Sequence, residues 1–133
     1  MTTEEIEMLT GRELDAAVDR VACAGKYFVT VSGNVATRFV SESESQSHNP
    51  FNWRKTVPHY STDDGEAVKL LLGTGDEFYV NPMPSGGFYV SIIGGPEAEG
   101  PTFPSAACLA FLKITNTDRP DVAAMKQIGR AHV

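Results

Sequence analysis

The densest group of polar side chains in the chain is His59-Tyr60-Ser61-Thr62-Asp63, and Trp53-Arg54-Lys55 lies just upstream of it. An indole beside two cations offers what a nucleobase and its phosphates need: a flat surface for stacking and charge-assisted donors for anionic oxygens. On this reading Trp53, Arg54 and Lys55 grip a small nucleotide-like ligand, His59, Tyr60 and Ser61 form a wall of the same pocket, and Asp63 accepts from ribose hydroxyls. A plainer reading accounts for the same residues. Ser61 would cap a helix, Asp63 and Asp64 would face its positive end, Tyr60 would cover the core edge, and Trp53 would anchor the interior.

Helix N-termini present unpaired amides to anions, so a phosphate has two candidate hosts. The helix opening at Ser61 carries Asp63 and Asp64, which oppose an anion. The helix opening at Thr102–Ser105 carries hydroxyls and no acid in its first turn, although Glu97 and Glu99 stand close in sequence. Thr102 and Ser105 therefore complete the candidate ligand set.

Other chemistries find little support. A metal site sketched from His48, His59 and Asp63 has no diagnostic spacing, and neither a His-Glu-x-x-His helix nor a cysteine knuckle is present. There is no Gly-x-Ser-x-Gly elbow and no Gly-x-x-x-x-Gly-Lys loop, and Gly86-Gly87 and Gly94-Gly95 read as turns. No catalytic residue, metal or cofactor is expected. The enzymatic alternative uses His59 and Asp63 as an acid–base pair on a nucleotide.

Composition narrows the partners. The chain has 133 residues, suited to one domain, and a formal net charge of −6. Non-specific nucleic-acid binding draws most of its energy from cations against phosphates, so an acidic chain is a poor candidate for it. No apolar run is long enough to span a bilayer, and the N-terminus Met1-Thr2-Thr3-Glu4-Glu5 lacks the basic start of a secretory signal. The expectation is a cytoplasmic protein with no membrane partner. Cys23 and Cys108 lie in helix-like apolar patterns and read as buried free thiols.

The elements that must position these residues follow from periodicity. Thr10-Gly11-Arg12-Glu13 has the form of a capping box, with Leu9 and Leu14 spaced as a hydrophobic staple. Leu14, Ala17, Val18 and Val21 then recur at helical period, with Arg12, Asp15, Asp19 and Arg20 off that stripe and Gly25 as the stop. Two strands flank a turn at Ser32-Gly33-Asn34, and residues 41–49 form an exposed loop. A second helix starts at Ser61 and buries Ala67, Val68, Leu71 and Leu72. Glu77–Val80 and Gly87–Ile93 pair as antiparallel strands, Gly94-Gly95-Pro96 opens an acidic loop, and a third helix begins at Thr102 with Pro104 in its first turn. A short last helix is expected over Asp121 to Gln127. The class predicted is α+β, an antiparallel-rich sheet with helices packed on it, in a single domain over residues 1–127.

Three stretches together resemble the phage ABA-sandwich domain family: residues 9–18 (Leu-Thr-Gly-Arg-Glu-Leu-Asp-Ala-Ala-Val), Val57-Pro58-His59-Tyr60-Ser61-Thr62-Asp63, and the Pro101-to-Leu112 helix with Ala106-Ala107-Cys108-Leu109-Ala110. Members carry a similar opening helix, a Tyr-Ser-Thr-Asp segment and an Ala-Ile-Cys-like last helix, whereas Ala107 here stands at the isoleucine position. The resemblance implies an α/β/α-type sandwich and a phage protein working inside an infected bacterial cell. Small phage proteins often counter host defence, and one route is to soak up a nucleotide immune signal, such as a cyclic dinucleotide or a cyclic ADP-ribose isomer. Such a pocket is often completed in a homo-oligomer. The alternatives are an inhibitor that binds a host protein through an acidic surface with Glu42, Glu44, Glu97 and Glu99, and an accessory phage protein with no small ligand. Residues 128–133, Ile-Gly-Arg-Ala-His-Val, match what a common short-read sequencing adapter encodes in one frame, so they read as a non-native tail.

Overall fold

A computed structural model describes residues 1–116. The helix expected at Asp121–Gln127 and the adapter-like residues lie outside the described residues.

The chain opens with a one-turn helix, α1 (Thr3–Glu7), capped by Thr2, and continues into α2 (Gly11–Ala22). A hairpin follows, β1 (Phe28–Ser32) and β2 (Val35–Phe39), reversed by Gly33 at φ +59°, a conformation that favours glycine. Next come a short α3 (Glu42–Ser45), a 3-10 turn (Pro50–Trp53) and β3 (Arg54–Thr56). Helix α4 (Asp64–Gly73), strands β4 (Phe78–Pro82), β5 (Phe88–Ile92) and β6 (Glu97–Gly100), and helix α5 (Phe103–Thr115) complete the described part.

All pairings are antiparallel, and the class is α+β as the patterning predicts. The strands divide between two three-stranded sheets, β1-β2-β3 and β4-β5-β6, with α2 packed on the first, α5 on the second, and the two helices packed on each other. Helix α2 packs against β1, β2 and α5, and α5 in turn packs against α1, α4, β5 and β6. The reason is composition. Residues 106–112, Ala-Ala-Cys-Leu-Ala-Phe-Leu, are apolar around the whole helix and buried throughout, and a helix apolar all round must be covered on every side. Leu14, Val18, Leu71, Val90 and Ile92 fill the space around it. Fully burying a side chain of this size contributes about 1.5–3 kcal/mol.

Several local expectations are corrected. Thr10 is the N-cap of α2, but its side chain makes no capping bond there. The cap of α4 is Asp63, which accepts from the Glu66 amide, and not Ser61, whose own amide is engaged elsewhere. Val68 and Leu72 of α4 are exposed, and its buried face is Ala67, Leu70 and Leu71. The stretch expected as an acidic loop contains β6, where Ala98 pairs with Val90 and supplies the one inward side chain that an edge strand needs. Residues 42–45 make a helical turn within the exposed loop. The third helix opens at Thr102 with Pro104 in its first turn, as predicted, and Thr102 and Ser105 form a capping box there that the sequence reading does not name.

Candidate functional site

Asp15 and Asp19 are one helical turn apart on α2 and are 1% and 0% exposed. A buried carboxylate must be paired and hydrogen-bonded. Asp15 accepts from Arg12 at 2.6 Å and from the Ser61 amide at 2.7 Å. Asp19 takes both arms of the Arg38 guanidinium from β2, the Tyr60 hydroxyl at 2.8 Å and the Cys23 thiol. Arg12 also donates to the carbonyls of Val57 (2.7 Å), Ala36 and Pro58 (both 3.4 Å), and its Nη1 is 3.1 Å from His59 Nδ1. Arginine only donates, so Nδ1 is the acceptor there.

Burial, reinforced by the bond to Asp19, pushes the Tyr60 hydroxyl well above its ordinary pKa. The bond to Asp19 holds Arg38 charged against the cost of burial. The network joins two of the motifs quoted above: the Gly11–Asp19 face of α2 is fastened to the Val57–Ser61 segment. Tyr60 and Ser61 thus lie inside a structural junction rather than on a pocket wall, and His59 sits exposed at its rim. Arg12, Asp15, Asp19 and Arg38 are the residues that sequence reasoning missed. The available signal was an acid repeated at i and i+4 beside an apolar stripe, with an arginine three residues before the first.

The other candidate residues go elsewhere. Trp53 is half-buried, and its indole N–H donates to the Ser47 carbonyl at 2.8 Å, pinning the loop before it. Arg54 and Lys55 are neighbours in β3 but point to opposite faces of the sheet. The register pairs Arg54 with Phe39 and Lys55 with Arg38. Asp63 is occupied as the α4 cap. Thr102 and Ser105 are occupied with each other: the Ser105 amide bonds to Thr102 Oγ1 at 3.3 Å, and Pro104 has no N–H to offer. That leaves few donors for a phosphate. The structure does not gather the nine residues around one concavity.

What the structure does assemble is an aromatic–guanidinium row on the open face of the first sheet. Val29 and Ala36 face α2 and are buried, so Phe28, Phe39 and Arg54, in the alternate register, lie on the outward face. The Phe28 and Phe39 rings are 5.8 Å apart, tilted by 39°. The Arg54 guanidinium carbon lies 5.8 Å from the centre of the Phe39 ring and 5.4 Å from that of Phe51. Phe28 and Phe51 are each 70% exposed. Large aromatic rings so far out of the core need a reason beyond packing.

A hollow of about 380 Å³ at the edge of the second sheet has the opposite character, being lined by Glu7, Tyr89, Glu97, Glu99, Leu109 and Lys113 among others. Its one cation is spent: Lys113 pairs with Glu7 at 2.8 Å and donates to the Glu97 carbonyl at 3.1 Å. The bond to Glu97 pushes the Tyr89 hydroxyl above its ordinary pKa, as acidic surroundings do. An anionic ligand is repelled there. Among the described residues, no group of three or more His, Cys, Asp or Glu side chains is placed to hold a metal ion, and no helix is long and apolar enough to cross a membrane. Compared with known families, with curated proteins and with solved structures, the chain matches none.

Proposed function

We propose that this protein captures a small nucleotide-derived ligand, such as a cyclic dinucleotide or a cyclic ADP-ribose isomer, and sequesters it without chemistry. The observation that carries this reading is the outward row Phe28–Phe39–Arg54–Phe51, in which Phe28, Arg54 and Phe51 are exposed and Phe39 is half-buried. Stacking a base on an aromatic side chain contributes about 1–3 kcal/mol. A guanidinium held against ring faces keeps its in-plane N–H groups free for phosphate oxygens. The row contains no nucleophile and no acid–base pair, which favours binding over turnover.

A base stacked on an open sheet has one face in water, whereas small-ligand sites bury most of their ligand. A second copy of the chain closing over the same face supplies the missing wall, which is how a homo-oligomer enters the reading. The phage setting and the role against host defence rest on the resemblance of the three motifs. Calorimetric titration with a panel of cyclic dinucleotides and cyclic ADP-ribose isomers tests the proposal. Arg54→Ala is expected to weaken binding at least tenfold, as roughly 1.4 kcal/mol corresponds to each factor of ten. Lys55→Ala, on the other face, changes it less than twofold. Absence of heat with every member of the panel sinks it.

The second reading, inhibition of a host protein through an acidic surface, draws on the hollow around Glu7, Glu97 and Glu99. It predicts a partner that co-purifies at low salt and is lost at high salt, because exposed charges are screened within about a Debye length.

A further inference from the structure

The geometry points to a ligand with two bases joined through a phosphodiester, rather than a single nucleotide. The inference rests on the capture reading and deepens it.

Phe28 belongs to β1 and Phe51 to the turn that enters β3, and these strands are the two opposite edges of the first sheet. Neighbouring strands are about 4.8 Å apart, so the two edges are separated by about 10 Å. One base is too small to lie on both rings. Arg54, opposite Phe39 on the middle strand, touches rings toward both sides: Phe39, which carries on to Phe28, and Phe51 itself. The two most exposed rings therefore stand at the two ends of a row that holds one guanidinium, Phe51 directly beside it and Phe28 beyond Phe39. A ligand matching that order has a base, an anionic linkage and a second base. Stacking is tolerant of base identity because every base has a flat face, so the row reads the number and spacing of bases. Arg54 answers one phosphodiester, which carries one charge. A cyclic dinucleotide carries two, and its second linkage would meet the Arg54 of a second copy closing over the same face. A terminal phosphate would leave more charge unanswered on a protein of net charge −6.

The test compares the affinities of mononucleotides, linear dinucleotides and cyclic dinucleotides, in adenine and guanine forms, for the full chain and for Phe28→Ala and Phe51→Ala. Both side chains are mostly exposed, so both variants are expected to fold, which circular dichroism checks. The expected result is that at least one two-base compound binds tenfold or more tighter than its mononucleotide, and that either substitution removes most of that advantage. The preference between linear and cyclic forms then identifies the source of the ligand. A mononucleotide that binds as tightly as every two-base compound overturns this inference and leaves capture standing. So does Phe51→Ala with unchanged dinucleotide affinity. No binding by any compound, cyclic ADP-ribose isomers included, overturns both.

Discussion

At the scale of single residues, the decisive side chains are charged ones in the interior. Asp19 has no exposure, and its carboxylate is shared by Arg38, Tyr60 and Cys23. Removing one partner of a buried pair costs far more than the pair contributes, because the survivor is left desolvated. Asp19→Ala is therefore expected to destabilise the protein by about 3–5 kcal/mol. Tyr60→Phe, which deletes one hydrogen bond to a charged acceptor, costs about 1.5–3 kcal/mol. Urea unfolding of both variants checks the order. A Tyr60→Phe protein with wild-type stability and no ligand affinity would move Tyr60 from the junction to the binding surface. The same network explains why His59-Tyr60-Ser61 looks like chemistry in the sequence. The segment is rich in polar groups because it must answer the polar groups of α2.

At the scale of elements, the second sheet depends on close backbone approach where β5 meets β6. Gly87 has φ +86°, and a Cβ there would stand 2.6 Å from the Gly100 carbonyl oxygen. Both the conformation and the contact resist any other residue, and neither obstacle is a side chain that can swing away. Gly87→Ala is expected to cost about 1–3 kcal/mol and to loosen β6 from β5. Hydrogen exchange on β6 amides reports this directly, faster exchange confined to β6 and its neighbours being the expected pattern. Unchanged protection would mean that the strand reaches its place without that turn. Helix α5 illustrates the same dependence from the other side. Ala106, Ala107 and Ala110 are wholly buried, so their small size sets how near the helix comes to its neighbours.

At the scale of the whole molecule, stability is tied to alkaline pH through neutral buried groups. Burial pushes the Cys108 thiol far above its ordinary value of 9.0, and burial also raises Cys23 and Tyr60. In the unfolded chain Cys108 and Tyr60 ionise at their ordinary pKa, while in the folded chain burial keeps them protonated well beyond it. The unfolded state therefore binds fewer protons, and stability, fully present below about pH 9, falls as pH rises beyond it. Each group held protonated contributes a slope of about 1.4 kcal/mol per pH unit. Urea midpoints measured between about pH 7 and 10 should be flat and then decline, with a shallower decline in Cys108→Ala. Identical profiles for the two proteins would show that Cys108 meets solvent in the native state.

Periodicity along the chain determined most of the elements. The α2 stripe, the β1–β2 hairpin, the β4–β5 pair and the opening of α5 at Thr102 all rest on neighbours within a few residues, where local sterics and hydrogen bonding decide. β3 and β6 were not legible, because a three- or four-residue edge strand with one or no buried side chain leaves too short a pattern. Tertiary structure alone decided which polar residues face each other. Ser61 is drawn inward by Asp15, 46 positions away, and Arg54 parts from Lys55 because strand register sends adjacent side chains to opposite faces. The row of Phe28, Phe39, Arg54 and Phe51 exists only once three strands are aligned. Contacts between residues distant in sequence depend on how the chain packs, and no local pattern encodes that.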